Sequence, residues 1–261
     1  MEKTTLLKLE VSVSLLMLCM IAVLPIGYTW GTQGPRPLGD TGSGWKPDIK
    51  MTSSINNSGC PTTATYIDKT TGAVTMYTAT QWWNKALNHW ELKVYKSTDG
   101  GNSWIDWFTC GWGYPRSLIY PSIAVSPYNG TVFVAVQEPP YIQLPTYNFT
   151  TNDVAIFRIN PLNPSDHIFL NVAADPRVDE QMPHLISTYG KGAKDALGLS
   201  YESQEDPYTR GVYFAVSYDW GTTWYKQTIA DGSQRVCSQS CIAYAQGFVY
   251  IAFRDTGYTG P

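Results

Sequence analysis

From Trp45 onward the chain alternates short apolar runs, rich in β-branched and aromatic residues, with breaks that carry Gly, Pro and Asn. That alternation predicts strands joined by turns. No stretch beyond the N-terminus carries a helical apolar stripe, so the expected class is all-β. The runs also fall into ordered sets. A first run opens near Pro61, Pro121, Pro183 and Cys241. A second starts at Gly72, Gly130, Ala196 and Gly247, and a third at Glu91, Asp153 and Gly211. A fourth follows a further turn, as from Trp104 to Thr109 and from Trp224 to Ile229. The set recurs about every 60 residues, and such a period is the mark of a repeat architecture.

Two of the turns before the fourth run share one pattern, Ser-x-Asp-x-Gly-x-Ser/Thr-Trp. Its fixed residues are Ser97, Asp99, Gly101 and Trp104 in the first copy and Ser217, Asp219, Gly221 and Trp224 in the second. Between them, Asn160-Pro161-Leu162-Asn163-Pro164 holds the corresponding place as a turn without the signature. Four short strands per unit, repeated, predict a β-propeller of four-stranded blades. About 3.6 blades fit the chain, near 47–115, 116–177, 178–235 and a shortened 236–261, so the ring is expected to be incomplete. A β-sandwich gives no reason for a constant interval.

Composition adds a compartment. Val11 to Ile26 is almost continuously apolar, preceded by Lys3 and Lys8, and suits a leader helix within 1–31, read as a signal peptide or an uncleaved membrane anchor. Residues 32–46, rich in Gly and Pro, read as a linker or edge segment. Export to the cell surface or the extracellular space follows. Cys19 lies in the leader, and the remaining Cys60, Cys110, Cys237 and Cys241 are an even set for disulfides, the local choice being Cys60 with Cys110 and Cys237 with Cys241. A zinc site is disfavoured by the cysteine spacing and by the scatter of His89, His167 and His184. Asn56, Asn129 and Asn148 each begin a glycosylation sequon. A net charge of −3, a pI near 5.6 and no basic cluster exclude nucleic acid as the expected partner. The membrane is reached only through the N-terminal segment.

On these motifs the chain resembles the sialidase-like, Asp-box (BNR) repeat family of propellers from about Trp45 to the end. The resemblance implies that the box is the turn between third and fourth strands, on the face away from the active site. It favours a structural role for Asp99 and Asp219 over catalysis or calcium binding. A carboxylate that accepts turn N–H bonds, a Gly with positive φ and a Trp plug between blades suit that role.

The opposite rim is then the candidate mouth. Gln81, Trp82 and Trp83 fall there in the first unit, with Arg116, Tyr120, Gln137 and Glu138 around the second. Arg177, Asp179, Glu180, Glu202, Glu205 and Asp206 surround the third, and Arg235, Arg254 and Asp255 the fourth. Arg116, Arg177 and Arg254 are candidates for holding an anionic group, and Trp82 and Trp83 for stacking on sugar rings. Glu138, Glu202 and Asp255 are candidate acids. Glu202, Glu205 and Asp206 form the densest acidic group, where calcium could sit; no other cofactor or metal is implied. The arginine motif that the resemblance implies near the first blade is absent, and Phe157-Arg158-Ile159-Asn160 matches it only in letters, because it lies in a third strand.

Two functions remain open on these residues. One is an exported glycan- or protein-binding module that takes a glycan, a small polar or anionic ligand, or a surface protein. The alternative is a sialidase-like glycoside hydrolase acting on terminal sugars.

Overall fold

A computed structural model describes residues 58–110, 117–139, 151–189, 195–206, 209–232 and 236–257, all within the compact unit that starts at Ile49. The leader and linker, Arg116, Arg235, Asn56 and Asn148 lie outside the described residues. Every element described is a strand. The first sheet holds β1 (Ser58–Ile67), β2 (Val74–Asn84), β3 (His89–Ser97) and β4 (Ile105–Cys110). The second holds β5 (Ile119–Val125), β6 (Val132–Glu138), β7 (Asp153–Ile159) and β8 (His167–Ala173). The third holds β9 (Asp179–Tyr189), β10 (Asp195–Asp206), β11 (Thr209–Ser217) and β12 (Tyr225–Ala230). A hairpin of β13 (Cys237–Ala245) and β14 (Phe248–Asp255) follows.

Each four-stranded sheet is an antiparallel meander in chain order. β1 packs beside β5, β5 beside β9 and β9 beside β13, so the first strands are the inner ones. Separate sheets side by side, rather than two sheets face to face, make the fold propeller-like. The four-strand sets of the sequence pattern are therefore present in the first three units, and the first two strands in the last.

Side-chain alternation explains why the sheets stack. β6 reads Val-Phe-Val-Ala-Val and is buried throughout, because successive side chains serve different neighbours. Val132, Val134 and Val136 join Tyr77, Val94 and Phe108 in a core shared with the first sheet. Phe133 and Ala135 join Leu185, Leu197 and Leu199 in a core shared with the third. β7 divides in the same way, with Phe157 on one side and Ile156 on the other. A strand that supplies two cores has no solvent face, which accounts for a continuous apolar run where a half-buried strand would alternate.

Every first strand enters through a β-bulge, marked by register shifts at Gly59/Thr62, Ile119/Ser122, Ser200/Glu202 on the partner strand, and Ser238/Cys241. The bulge residue is a non-glycine in the left-handed region each time: Cys60 (φ 50°), Tyr120 (49°), Met182 (53°) and Gln239 (54°). Pro61, Pro121 and Pro183 follow the first three, and Ser240 the fourth, so Ser240 rather than Cys241 holds the proline position. Proline is tolerated on an inner strand here because the bulge asks for no ladder N–H at that point.

The bulge N–H has no ladder partner either, and the preceding sheet supplies one. Gln81 Oε1 accepts from Tyr120 N at 3.0 Å, Gln137 Oε1 from Met182 N at 3.2 Å, and Glu202 Oε1 from Gln239 N at 2.5 Å. These acceptors hold one register position on β2, β6 and β10. A second backbone tie accompanies each: Leu118 N donates to Trp90 O, Glu180 N donates to Asn152 O, and Val236 bridges Arg210 in parallel.

The expected disulfides require correction. No disulfide joins the described cysteines. Cys60 on β1 and Cys110 on β4 lie at opposite edges of one four-stranded sheet, about 14 Å apart at strand spacing, well beyond the roughly 7 Å between Cα atoms that a bridge allows. Cys237 and Cys241 share strand β13 with the Gln239 bulge between them, and neither is bridged.

Phe157 is buried between two sheets, with Phe108 and Phe169 rings against it at 5.9 and 4.9 Å. Phe157→Ala is expected to lower stability by about 3–5 kcal/mol in urea denaturation. Ile105→Ala, at a position 60% exposed, is expected to cost under about 0.5 kcal/mol.

Candidate functional site

Strand register separates two ends of the stack. Ser58 opposite Trp82, Gln81 opposite Leu92 and Leu92 opposite Cys110 gather the strand-one entries, strand-two ends and strand-three starts at one end. The Ser97–Trp104 and Ser217–Trp224 turns lie at the other.

Those turns are built identically. Ser97 Oγ donates to Asp99 Oδ1 (2.8 Å) and accepts from Gly101 N (2.9 Å). Asp99 then accepts Ser103 N at 2.9 Å and Ser103 Oγ at 2.6 Å. In the second copy Asp219 accepts Ser217 Oγ (2.9 Å), Thr223 N (2.8 Å) and Thr223 Oγ1 (2.6 Å). Trp104 Nε1 and Trp224 Nε1 close the turns onto Gly101 O and Gly221 O at 3.1 and 2.9 Å. The Ser103 hydroxyl and amide, with Ser97, hold the Asp99 carboxyl down to about 2. Both carboxylates thus accept three hydrogen bonds from their own turns, as a structural role requires.

A cavity of about 230 Å³ lies where the inner strands β1, β5 and β9 enter. It is lined by three equivalent segments, Cys60-Pro61-Thr62, Tyr120-Pro121-Ser122 and Met182-Pro183-His184. The left-handed bulge residue is what brings Cys60, Tyr120 and Met182 to its wall. Ser122 Oγ is committed as acceptor of Leu185 N at 2.9 Å. Partial desolvation holds the His184 pKa below its ordinary value, so the imidazole is neutral at neutral pH. No carboxylate is among the described residues that line this cavity.

The rim candidates are divided among other tasks. Glu138 is buried at the end of β6, opposite Asp153. Glu202 is buried, receives Gln239 N, and pairs with Arg210 Nη1 at 3.2 Å. Desolvation raises its pKa, while the Gln239 N–H and the Arg210 guanidinium pull it back. Arg177 is exposed and chelates Asp175 through Nε (3.1 Å) and Nη2 (2.9 Å). Lys93 sits 4.4 Å over the Trp82 ring, and Trp83 meets Trp90 edge-on at 5.2 Å; both tryptophans are half-buried. Arg254 is exposed at the register position held by Gln81, Gln137 and Glu202, and Asp255 accepts Gly257 N at 2.8 Å. Glu205 and Asp206 close β10, where their side chains lie outside the described residues. Among the described residues no His, Cys, Asp and Glu grouping fits a metal ion.

Two further acids, Glu91 and Glu180, are buried. Glu91 is buried and takes Asn84 Nδ2 at 2.8 Å, with His89 Nε2 3.6 Å away. Glu180 is 5% exposed; its Oε1 takes only a long bond from Asp175 N at 3.4 Å, and its Oε2 has no hydrogen-bond partner. Burial pushes its pKa up to about 7, with Asp153 and Asp175 adding to the rise and Lys226 opposing it.

Against solved structures the chain is similar to a Hadza microbial sialidase, at 14% identity and TM-score 0.53, over 76% of this chain and 42% of the other. It is also similar to a protein of unknown function from Dyadobacter fermentans, at 13% identity and TM-score 0.51, over 77% of this chain and 63% of that one. The chain therefore spans less than two thirds of the length of either, and at such identity the likeness shows a shared propeller fold. No protein-family model and no curated protein matches the chain.

Two expectations follow. Asp219→Ala removes three acceptor contacts from one turn and is expected to cost about 1–2 kcal/mol in thermal or urea unfolding. For Glu180, the unfolded carboxyl ionises near the ordinary 4.5 while the folded one stays protonated up to about 7. Across that window the folded state binds more protons, so stability falls as pH rises and levels off above it. The full effect is at most about 3 kcal/mol. Glu180→Gln is expected to flatten the slope of urea midpoint against pH between 5 and 8; an unchanged slope would refute the assignment.

Proposed function

We propose that the chain is a propeller module that binds glycans in the cavity at its entry end, on the outside of the cell. The observation that carries this reading is the cavity wall: a phenol, a neutral imidazole, prolines and hydroxyls, with no carboxylate among the described lining residues. Sugar rings are held by apolar and aromatic faces together with a few directional polar groups. Hydrolysis by a pair of acids would need two carboxylates flanking the bond to be cleaved. Glu138 and Glu202 are instead buried within and between the sheets. The leader and the box motif support an exported, sialidase-like module, and the Hadza sialidase likeness supports a sugar as ligand.

Sialidase-like hydrolysis stands as the second reading, favoured by Arg254. That residue places an exposed guanidinium at a register position where the other sheets carry Gln or Glu. Arg177, whose guanidinium is held by Asp175, is a second described candidate for an anionic sugar, and Arg116 is a candidate from the sequence alone.

Isothermal titration of the full chain against a panel of glycans, in parallel with fluorogenic glycosides, separates the two. Saccharide binding without turnover is expected, weakened about tenfold by Tyr120→Asn, which keeps a residue tolerant of left-handed backbone. His184→Ala is expected to weaken it as well. Turnover that is lost in Arg254→Ala would replace the binding reading with the hydrolase, and binding indifferent to both cavity variants would remove the cavity from the account.

A further inference from the structure

We propose that the groove at the turn end between the second and third sheets is a docking site for an extended peptide segment of a partner protein, one that carries an acidic residue beside an aliphatic one. The groove has a volume of about 550 Å³ and lies on the opposite face from the entry-end cavity.

Its floor holds an under-used cation. Arg158, on β7, donates Nη1 to the backbone carbonyl of Trp220 at 3.3 Å and makes no ion pair among the described residues. Asp166 lines the same groove, but its Oδ2 is held by Asn160 Nδ2 at 2.9 Å. A guanidinium with several N–H groups left over is matched by a carboxylate, which it takes in bidentate geometry.

The walls define what accompanies that carboxylate. Leu162, at the tip of the turn that replaces the box in the second sheet, is 94% exposed, and Ile168 beside it is 43% exposed. Trp220 forms the facing wall and packs edge-on against Phe133 at 6.4 Å between ring centroids. Trp220 stands at the box position that Gly100 holds in the first sheet, with φ 66° against 69°. A bulky residue is sterically disfavoured in left-handed backbone. At a turn where the other copy has glycine, the ring both packs on Phe133 and lines the groove. Tryptophan, arginine and exposed aliphatic residues around one concavity make a protein-recognition composition. A sugar would leave Leu162 and Ile168 without a partner, so a peptide side chain is the better occupant.

Selection of random displayed dodecapeptides on the immobilised full chain tests this. The protein is made in a bacterium that does not glycosylate asparagine, because the Asn129 sequon lines the groove. Enriched peptides are expected to pair Asp or Glu with Leu or Ile, and to bind Arg158→Gln at least tenfold more weakly by fluorescence polarisation. Leu162→Ser, at a position with no packing to lose, is expected to weaken binding as well while leaving the unfolding midpoint unchanged. The proposal is overturned by no enrichment, by enriched peptides without acids, by equal binding to Leu162→Ser, or by displacement of the peptides with neutral methyl glycosides.

Discussion

One backbone amide per junction sets the arrangement of these sheets. A bulge at the entry of each inner strand turns an N–H out of its own ladder, and a buried donor left unmet costs about 1–3 kcal/mol. The preceding sheet meets it with a side-chain oxygen at one register position, through Gln81, Gln137 and Glu202 in turn. Apolar packing between sheets is non-directional and would tolerate sliding. The amide fixes which residue of one sheet faces which residue of the next, and at the first two junctions the left-handed residue that carries it, Tyr120 or Met182, also lines the cavity. Register and cavity are therefore two results of the same local conformation.

The third junction departs from the other two in a way that couples it to charge. A Gln at this position serves the amide with a neutral carbonyl. Glu202 serves it with a carboxyl that burial pushes toward the protonated form, while Arg210 pulls it toward the ionised one. A buried carboxylate is tolerated only with such a partner, and Arg210 Nη2 extends the network to Gln204 at 2.7 Å. The pairing gives the buried acid a structural partner at the junction.

Much of the architecture is legible because it rests on residues with narrow conformational or packing preferences. Glycine turns, β-branched runs and the Ser-Asp-Gly-Trp turns each state their structure locally, and their constant interval states the sheet count. The bulges are silent by comparison. Cys60, Tyr120, Met182 and Gln239 share no side-chain chemistry, and nothing about them announces positive φ. Proline after three of them is the trace that remains, and it reads equally well as a strand boundary. The cysteines mislead for a related reason: an even count constrains pairing only after the strand order is known, and that order puts Cys60 and Cys110 at opposite edges of a sheet. Burial of Glu91, Glu138 and Glu180 is likewise invisible, since a strand end seen in sequence could open to solvent or tuck under the next sheet.

The two Ser-Asp-Gly-Trp turns show how far a shared network constrains its variable positions. Their hydrogen bonds agree closely, yet the residue after Asp is Gly100 in one and Trp220 in the other, both left-handed. Conformation at that position is imposed by the Asp and Ser contacts on either side, because a residue of Trp's bulk would not choose it alone. The Asp carboxylate therefore supplies rigidity that frees the next position from its glycine requirement. The third sheet uses that freedom to set an aromatic ring against Phe133 of its neighbour, beside Arg158. A motif whose role is internal to a turn thus determines which side chain is presented between sheets, and so links the structural face of the repeat to a surface open to partners.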